Sequence, residues 1–179
     1  MFVYPMMAEN RRFERRPEEV RKLLADRGIN HIKIKDMTAY ERDQLFLEGT
    51  GSMVLDRMNR VAFAAGSPRT DEKLFKHWCT EMDYEPVFFN ALDNNSKPIY
   101  HTNVMMSIGD GFAVICLDAI RNNIERSKIE QKINSLGKKI ININIEQMNN
   151  FCGNIIQLID SDNRTKIIMS ATAYESFRK

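Results

Sequence analysis

No run of apolar residues in this sequence reaches the roughly 20 positions that a membrane-spanning helix needs. The opening stretch, Met-Phe-Val-Tyr-Pro-Met-Met-Ala-Glu-Asn-Arg-Arg, has no basic residues ahead of its apolar part and no small-residue cleavage site, so it does not read as a signal peptide. The cytoplasm is the expected compartment. Neither sign of charge is in surplus: the formal net charge is +2, which argues against a basic stripe for nucleic acid and against an electrostatic membrane patch. One basic cluster, Arg11, Arg12, Arg15 and Arg16, is interleaved with Glu14, Glu18 and Glu19 and reads as the solvated start of a helix. Cysteine and histidine are scarce, three of each, and Cys79, Cys116, Cys152, His31, His77 and His101 are scattered without C-x-x-C spacing. That pattern speaks against a disulfide framework and against a zinc site. No metal and no cofactor enter the reading.

What remains is an ordinary soluble composition over 179 residues, with 43% hydrophobic and 28% charged positions, enough for one domain with a sizeable core. Within it, three pairs of apolar runs are each closed by turn residues. Residues 53–55 and 61–65 flank Asp-Arg-Met-Asn-Arg. Residues 104–108 and 112–117 flank Gly-Asp-Gly. Residues 155–159 and 166–170 flank Asp-Ser-Asp-Asn-Arg. Each pair reads as a β-hairpin, because Gly, Asp and Asn tolerate the positive φ that tight turns require. The turns begin at Asp56, Gly109 and Asp160, 53 and 51 residues apart, which is a repeat period.

The segments after the hairpins repeat too. Thr70-Asp71-Glu72 is a helix N-terminus, and Leu74, Phe75, Trp78, Cys79 and Met82 follow at helical spacing before a strand at 86–90. Ile124, Ile129, Ile133 and Leu136 mark a helix stopped by Gly137, and 139–145 alternates like a half-buried strand. Tyr174 and Phe177 open another helix. At the other end, 1–6 reads as the second strand of a hairpin, 17–27 as a helix and 29–35 as a strand. The order is therefore a partial ββαβ unit, two full units and a final hairpin. A chain that starts within a hairpin and stops as a helix begins is expected to be the middle of something longer. Repeated units bury their faces against neighbours, and terminal ones need a cap or partner. An ordinary α+β domain with a regular rhythm fits the same pattern.

Unusual residues lie in the loops around the hairpins. Glu48 stands between Leu47 and two glycines, poorly placed for solvation, and is a candidate to hold a cationic or NH-rich group; a plain turn glutamate is the other reading. His101 occupies the matching position one repeat later, as a proton shuttle or as a structural histidine. Asn103 lies two residues on, which in an extended strand is the same face. Arg69 is suited to grip a carboxylate bidentately, or is a surface arginine ahead of a helix. Cys116 and Cys79 read as core residues, and no base is paired with Cys152 to activate it.

Phe46-Leu-Glu-Gly-Thr-Gly-Ser-Met-Val-Leu-Asp-Arg57, Ser67-Pro-Arg-Thr70, Lys97-Pro-Ile-Tyr-His-Thr-Asn-Val-Met-Met106, Phe112-Ala-Val-Ile-Cys-Leu117, and Glu146-Gln-Met-Asn149 followed by Gly153-Asn154 together resemble the citrulline-hydrolase-type branch of the amidinotransferase (pentein) superfamily. Relatives in that superfamily include arginine deiminases and dimethylarginine hydrolases. The resemblance runs over 1–179 and implies an α/β propeller of ββαβ blades, here an incomplete ring truncated at both ends. It implies C–N hydrolysis of a guanidino or ureido amino acid through a covalent cysteine intermediate. By motif, Glu48 would bind the substrate nitrogens, His101 would be the acid/base, and Arg69 would bind the α-carboxylate. Asn103 stands where several relatives carry Asp, which suggests a neutral ureido substrate such as citrulline. Two family parts have no counterpart: the Asn-rich N-terminal unit, and the Gly-rich Ser-Ala-Arg-Cys segment that carries the nucleophile. The chain is therefore expected not to catalyse the reaction alone. A non-catalytic remnant that binds a ligand or a full-length relative is the competing expectation, and a homo-oligomer or complementation by a longer relative stays open on the partner side.

Overall fold

A computed structural model describes residues 1–178. The fold is mixed α/β and holds two three-stranded sheets built on one plan. In the first, β3 (Val54–Asp56) pairs antiparallel with β4 (Val61–Ala65), and β4 pairs parallel with β5 (Glu85–Phe89) after the helix α2 (Glu72–Met82). In the second, β6 (Met106–Ile108), β7 (Phe112–Ile115) and β8 (Lys139–Asn142) pair the same way around α4 (Asn123–Ser135). A hairpin of β9 (Ile156–Ile159) and β10 (Thr165–Ile168) precedes α6 (Ala171–Phe177). At the start, β1 (Phe2–Val3) pairs parallel with β2 (Lys35–Asp36) across α1 (Pro17–Ala25). Thus β1 and β2 are related as β4 and β5 are.

Local chemistry sets these elements. The Asp71 carboxylate accepts the Leu74 amide at 2.9 Å and caps α2, whose Leu74, Phe75, Trp78 and Cys79 form the buried stripe. Asn122 caps α4 by accepting from Ile124 and Glu125, and Ile129 and Ile133 face inward. Gly137 then takes φ +71, the left-handed step that ends such a helix. Strand β4 is buried on both faces, as its unbroken apolar sequence requires. Val61, Phe63 and Ala65 face a core shared with β6, β7 and α4, while Ala62 and Ala64 face Leu74, Phe75 and Trp78. Between the two sheets, Lys138 Nζ lies 3.1 Å from Asp56 Oδ2 and donates to the Gly109 carbonyl at 3.0 Å. Both side chains are almost wholly buried, so this pair joins the turn of one sheet to the next.

Several expected elements differ. The strand expected over 29–35 pairs only at Lys35–Asp36, and that expected over 1–6 only at Phe2–Val3. Pro5 has no N–H to continue the ladder, and its carbonyl accepts from Leu47 instead. Val104 and Met105 are not strand but part of a single helical turn, α3 (Thr102–Met105), with His101 at its N-cap. Strand β8 ends at Asn142, whose side chain accepts the Leu117 amide, and Asn144 opens a further helix, α5 (Ile145–Asn149), through a capping box with Gln147. The arginine cluster is not simply solvated. Arg12 Nε lies 3.1 Å from the shielded Glu41 carboxylate, Arg15 also pairs with Glu41, and the two donate to the Met6 and Tyr4 carbonyls.

Candidate active site

Glu48, Arg69 and His101 come from three different loops. Glu48 opens a tight turn in which Gly51 N donates to the Glu48 carbonyl at 3.1 Å, just before β3. Arg69 sits in the Ser67–Thr70 turn that follows β4 and leads into α2, where Thr70 N donates to the Ser67 carbonyl at 3.0 Å. His101 ends the loop that precedes β6, one repeat after Glu48. Equivalent loops of successive sheets lie side by side, so residues 53 apart in sequence meet.

The His101 Nε2 atom lies 2.7 Å from Glu48 Oε2, and Arg69 Nη1 lies 3.3 Å from the same oxygen. The other carboxylate oxygen accepts the Met7 amide at 2.8 Å. Only 6% of the Glu48 side chain is exposed, against 17% for His101 and 32% for Arg69, so this is a shielded carboxylate rather than a surface turn residue. Tyr100 flanks the group, its ring 5.0 Å from the His101 ring and 5.8 Å from the Arg69 guanidinium carbon. Gly51 lies under the imidazole, where a methyl group in place of its hydrogen would come within 2.9 Å of Cε1 and Nδ1. Glycine is therefore required for that close approach.

Burial pushes the His101 imidazole below its ordinary value. The Glu48 hydrogen bond and charge pull it back up, Arg69 and Arg11 push it down, and the net direction is downward. A neutral imidazole carries one proton, and a carboxylate only accepts, so the proton sits on Nε2 facing Glu48. Nδ1 is left with the free lone pair. A carboxylate, a basic imidazole nitrogen and a guanidinium held this closely can bind a planar NH-rich group, move a proton, and hold an anion.

Asn103 departs from the expected arrangement. It lies in α3, not on an extended strand, and so does not share a face with His101. Instead it lines, with Thr50, a groove of about 680 Å³ between β3, β6 and β9 that opens beside the Glu48 loop. All three cysteines are buried, and burial raises each thiol pKa, that of Cys79 to about 12. The Cys152 thiol contacts the Ala173 carbonyl at 3.5 Å, and among the described residues no imidazole is hydrogen-bonded to it. Among the described residues, no group of three or more His, Cys, Asp or Glu side chains is gathered as a metal cage would require, and no helix is long and apolar enough to cross a membrane. Sequence reasoning missed the Met7 amide, Tyr100, and the buried hydroxyls of Ser52 and Thr102. Only the last two carried a signal: a hydroxyl within four residues of Glu48 and another adjacent to His101.

Comparison with known proteins gives the family and the fold. The sequence model of the family described as N,N dimethylarginine dimethylhydrolase, eukaryotic, matches residues 1–179. A comparison with curated protein sequences finds no match. Among solved structures, ArgZ, an arginine dihydrolase from the ornithine-ammonia cycle in cyanobacteria, superposes with a TM-score of 0.69 at 18% identity, over 99% of this chain and 26% of ArgZ. A substrate-bound variant of the N-terminal domain of ArgZ gives 0.67 at 18% identity, over 99% of this chain and 59% of that domain. A variant of AgrE in complex with L-arginine gives 0.65 at 18% identity, over 87% of this chain and 21% of AgrE. The chain thus spans about a quarter of ArgZ and 59% of its N-terminal domain, and at this identity the likeness is one of fold.

Proposed function

The chain belongs to the eukaryotic N,N-dimethylarginine dimethylhydrolase family, within the pentein superfamily of guanidino-group hydrolases, and from that membership we propose that it carries the acid/base and substrate-holding half of a C–N hydrolase site for a guanidino or ureido amino acid. The observation that carries this reading is the meeting of Glu48, His101 and Arg69 around one carboxylate oxygen. The internal Glu48–Arg69 pair has the charges of an arginine-like amino acid inverted. Such a substrate exchanges it for two pairs, its terminal nitrogens on Glu48 and its α-carboxylate on Arg69. His101 Nδ1 takes the proton from the attacking group and returns it to the leaving amine. Asn103, in the adjoining groove, offers a neutral amide and so favours a ureido over a guanidinium group. The two sheets and the final hairpin are read as successive blades of an α/β propeller that residues 1–179 do not close.

Covalent hydrolysis in this superfamily needs a cysteine thiolate. The three buried thiols, each raised by burial, are unsuited to that role, so the nucleophile is supplied by polypeptide outside residues 1–179. Isothermal titration of the chain with L-arginine, L-citrulline and dimethylarginine is the test. Binding of at least one, lost in Glu48→Gln and in Arg69→Ala, is expected, with no turnover. Turnover by the chain that disappears in Cys152→Ser would overturn the assignment of the nucleophile.

One observation favours a second reading, a non-catalytic module that docks on a longer relative. Ile156, Leu158, Ile159, Ile167 and Ile168 of the final hairpin are exposed, and such a patch tends to find a partner. Stoichiometric co-purification with a longer relative, in the absence of any amino-acid binding, would decide for it.

A further inference from the structure

Two hydroxyls that face no solvent tie the three site loops together. The Ser52 and Thr102 side chains are fully buried. Ser52 Oγ accepts the Glu48 amide at 2.8 Å and donates to the Arg69 carbonyl at 2.8 Å. Thr102 Oγ1 accepts the Ala65 amide at 2.8 Å and donates to the Ser52 carbonyl at 2.6 Å. Each hydroxyl thus donates its single proton to one backbone carbonyl and accepts one backbone amide. Ser52 joins the backbone of Glu48 to that of Arg69. Thr102, the residue after His101, joins the His101 loop to the Ser52 backbone and to the end of β4. A third link is more exposed: Ser67 Oγ donates to the Tyr100 carbonyl at 2.8 Å and accepts the Arg69 amide at 3.1 Å. Asn103 N donates to the Gly51 carbonyl at 3.2 Å and closes the gap beneath the imidazole.

We infer that Ser52 and Thr102 are positioning residues: their paired hydroxyls fix the relative placement of Glu48, Arg69 and His101, and so set the geometry of the site without touching the substrate. The inference rests on the reading of those three residues as a guanidino- or ureido-binding site. None of the three reaches its partners through its own secondary structure, because each lies on a loop. Loop backbones drift unless something cross-links them, and a displacement of about 1 Å at a reacting centre costs about 100-fold in rate. The hydroxyl network is the cross-link, and its burial shields it from exchange with water.

The test uses the chain itself with two isosteric or near-isosteric variants, Thr102→Val and Ser52→Ala, and one conservative variant, Thr102→Ser. The readouts are the His101 titration by imidazole NMR and calorimetric binding of L-arginine and L-citrulline. Glu48, Arg69 and Arg11 are the charged groups that act on the ring. The expected result is that Thr102→Val and Ser52→Ala keep the folded amide spectrum, move the His101 titration up toward the ordinary value of about 6.5, and weaken amino-acid binding about tenfold, roughly the net worth of one hydrogen bond. Thr102→Ser, which keeps the hydroxyl, restores both. Native titration and native binding in both deletion variants would overturn the inference, as would loss of the folded spectrum in both, which would assign the hydroxyls to the core alone. A shifted titration in the variants of a chain that binds neither amino acid would leave the positioning role standing and remove the guanidino or ureido reading.

Discussion

Replacing Gly51 by alanine is the sharpest perturbation the site offers, because it adds one methyl group and removes no functional atom. That methyl would stand 2.9 Å from His101 Cε1 and Nδ1 and 3.0 Å from Nε2, closer than carbon and nitrogen atoms tolerate. Either the ring or the 48–51 turn must move. The turn is held by Gly51 N to the Glu48 carbonyl and by Asn103 N to the Gly51 carbonyl, and the Ser52 hydroxyl pins its far end. The imidazole is held on its other side by one bond, to Glu48 at 2.7 Å. The ring therefore gives way. A hydrogen bond to a charged group contributes about 1.5–3 kcal/mol, which is the scale of the interaction the displaced ring gives up.

The consequence for titration has a definite sign. In the native protein burial holds the His101 pKa below its ordinary value. The folded state then binds fewer protons than the unfolded state at mildly acid pH. Its contribution to stability is complete above about pH 6.5 and is lost as pH falls from there through the folded value. A ring displaced into solvent titrates near 6.5 in both states, and this dependence disappears. The assay is urea unfolding of the native chain and of Gly51→Ala from pH 5 to 7.5, with an imidazole NMR titration of each. A variant whose His101 still titrates below the ordinary value, with its proton still on Nε2, would refute the reasoning, since the turn would then have moved and not the ring.

Four further expectations follow from other contacts. Lys138→Met leaves Asp56 buried without its cation and should cost about 3–5 kcal/mol in urea unfolding. In the native chain the Asp56 carboxyl is pushed up by burial but drawn down further by Asn59 and Lys138, so its contribution is present above about pH 3.9 and is lost as pH falls through the lower folded value; a pH series of unfolding curves on native and Lys138→Met chains checks this. Phe63→Ala, in a side chain with no exposure at the centre of the core between the sheets, should cost about 3–5 kcal/mol by the same measurement. Asp71→Ala removes the α2 cap and should cost about 1 kcal/mol, read as a shift in the urea midpoint with unchanged slope.

Much of the fold was legible because its signals are local. The unbroken apolar run of β4, the Asp71 and Gly137 boundaries of α2 and α4, and the turn residues at Asp56, Gly109 and Asp160 each act through their own neighbours. The failures have a common physical origin, which is that the deciding partner is distant. Val104 and Met105 carry strand-like side chains, yet Thr102 bonds to Ser52 and Ala65 and starts a helical turn instead. Arg12 and Arg15 look solvated until Glu41, 26 residues beyond Arg15, is brought against them.

The site divides along the same line. Spacing alone paired Glu48 with His101, because a repeat places equivalent loops side by side, and two charged or titratable residues at equivalent positions must then meet. The period could not place Asn103, since two residues along a strand share a face while two residues along a helix do not, and the local conformation was set by the Thr102 hydroxyl. Nor could it show that Glu48 is already occupied by Arg69 and by the Met7 amide. That occupancy bears directly on function. A carboxylate 6% exposed, with an arginine and a histidine on one oxygen, is costly to leave without partners, so a ligand able to displace Arg69 must bring its own N–H donors to Glu48 and a carboxylate for the released guanidinium. Amino acids with a terminal guanidino or ureido group meet both conditions, whereas an amine such as agmatine brings the donors without the carboxylate and should bind more weakly by at least about tenfold, the loss of a single charge-assisted contact. Calorimetric competition between L-arginine and agmatine on the native chain measures that difference, and equal affinities would show that Arg69 stays on Glu48 when ligand binds.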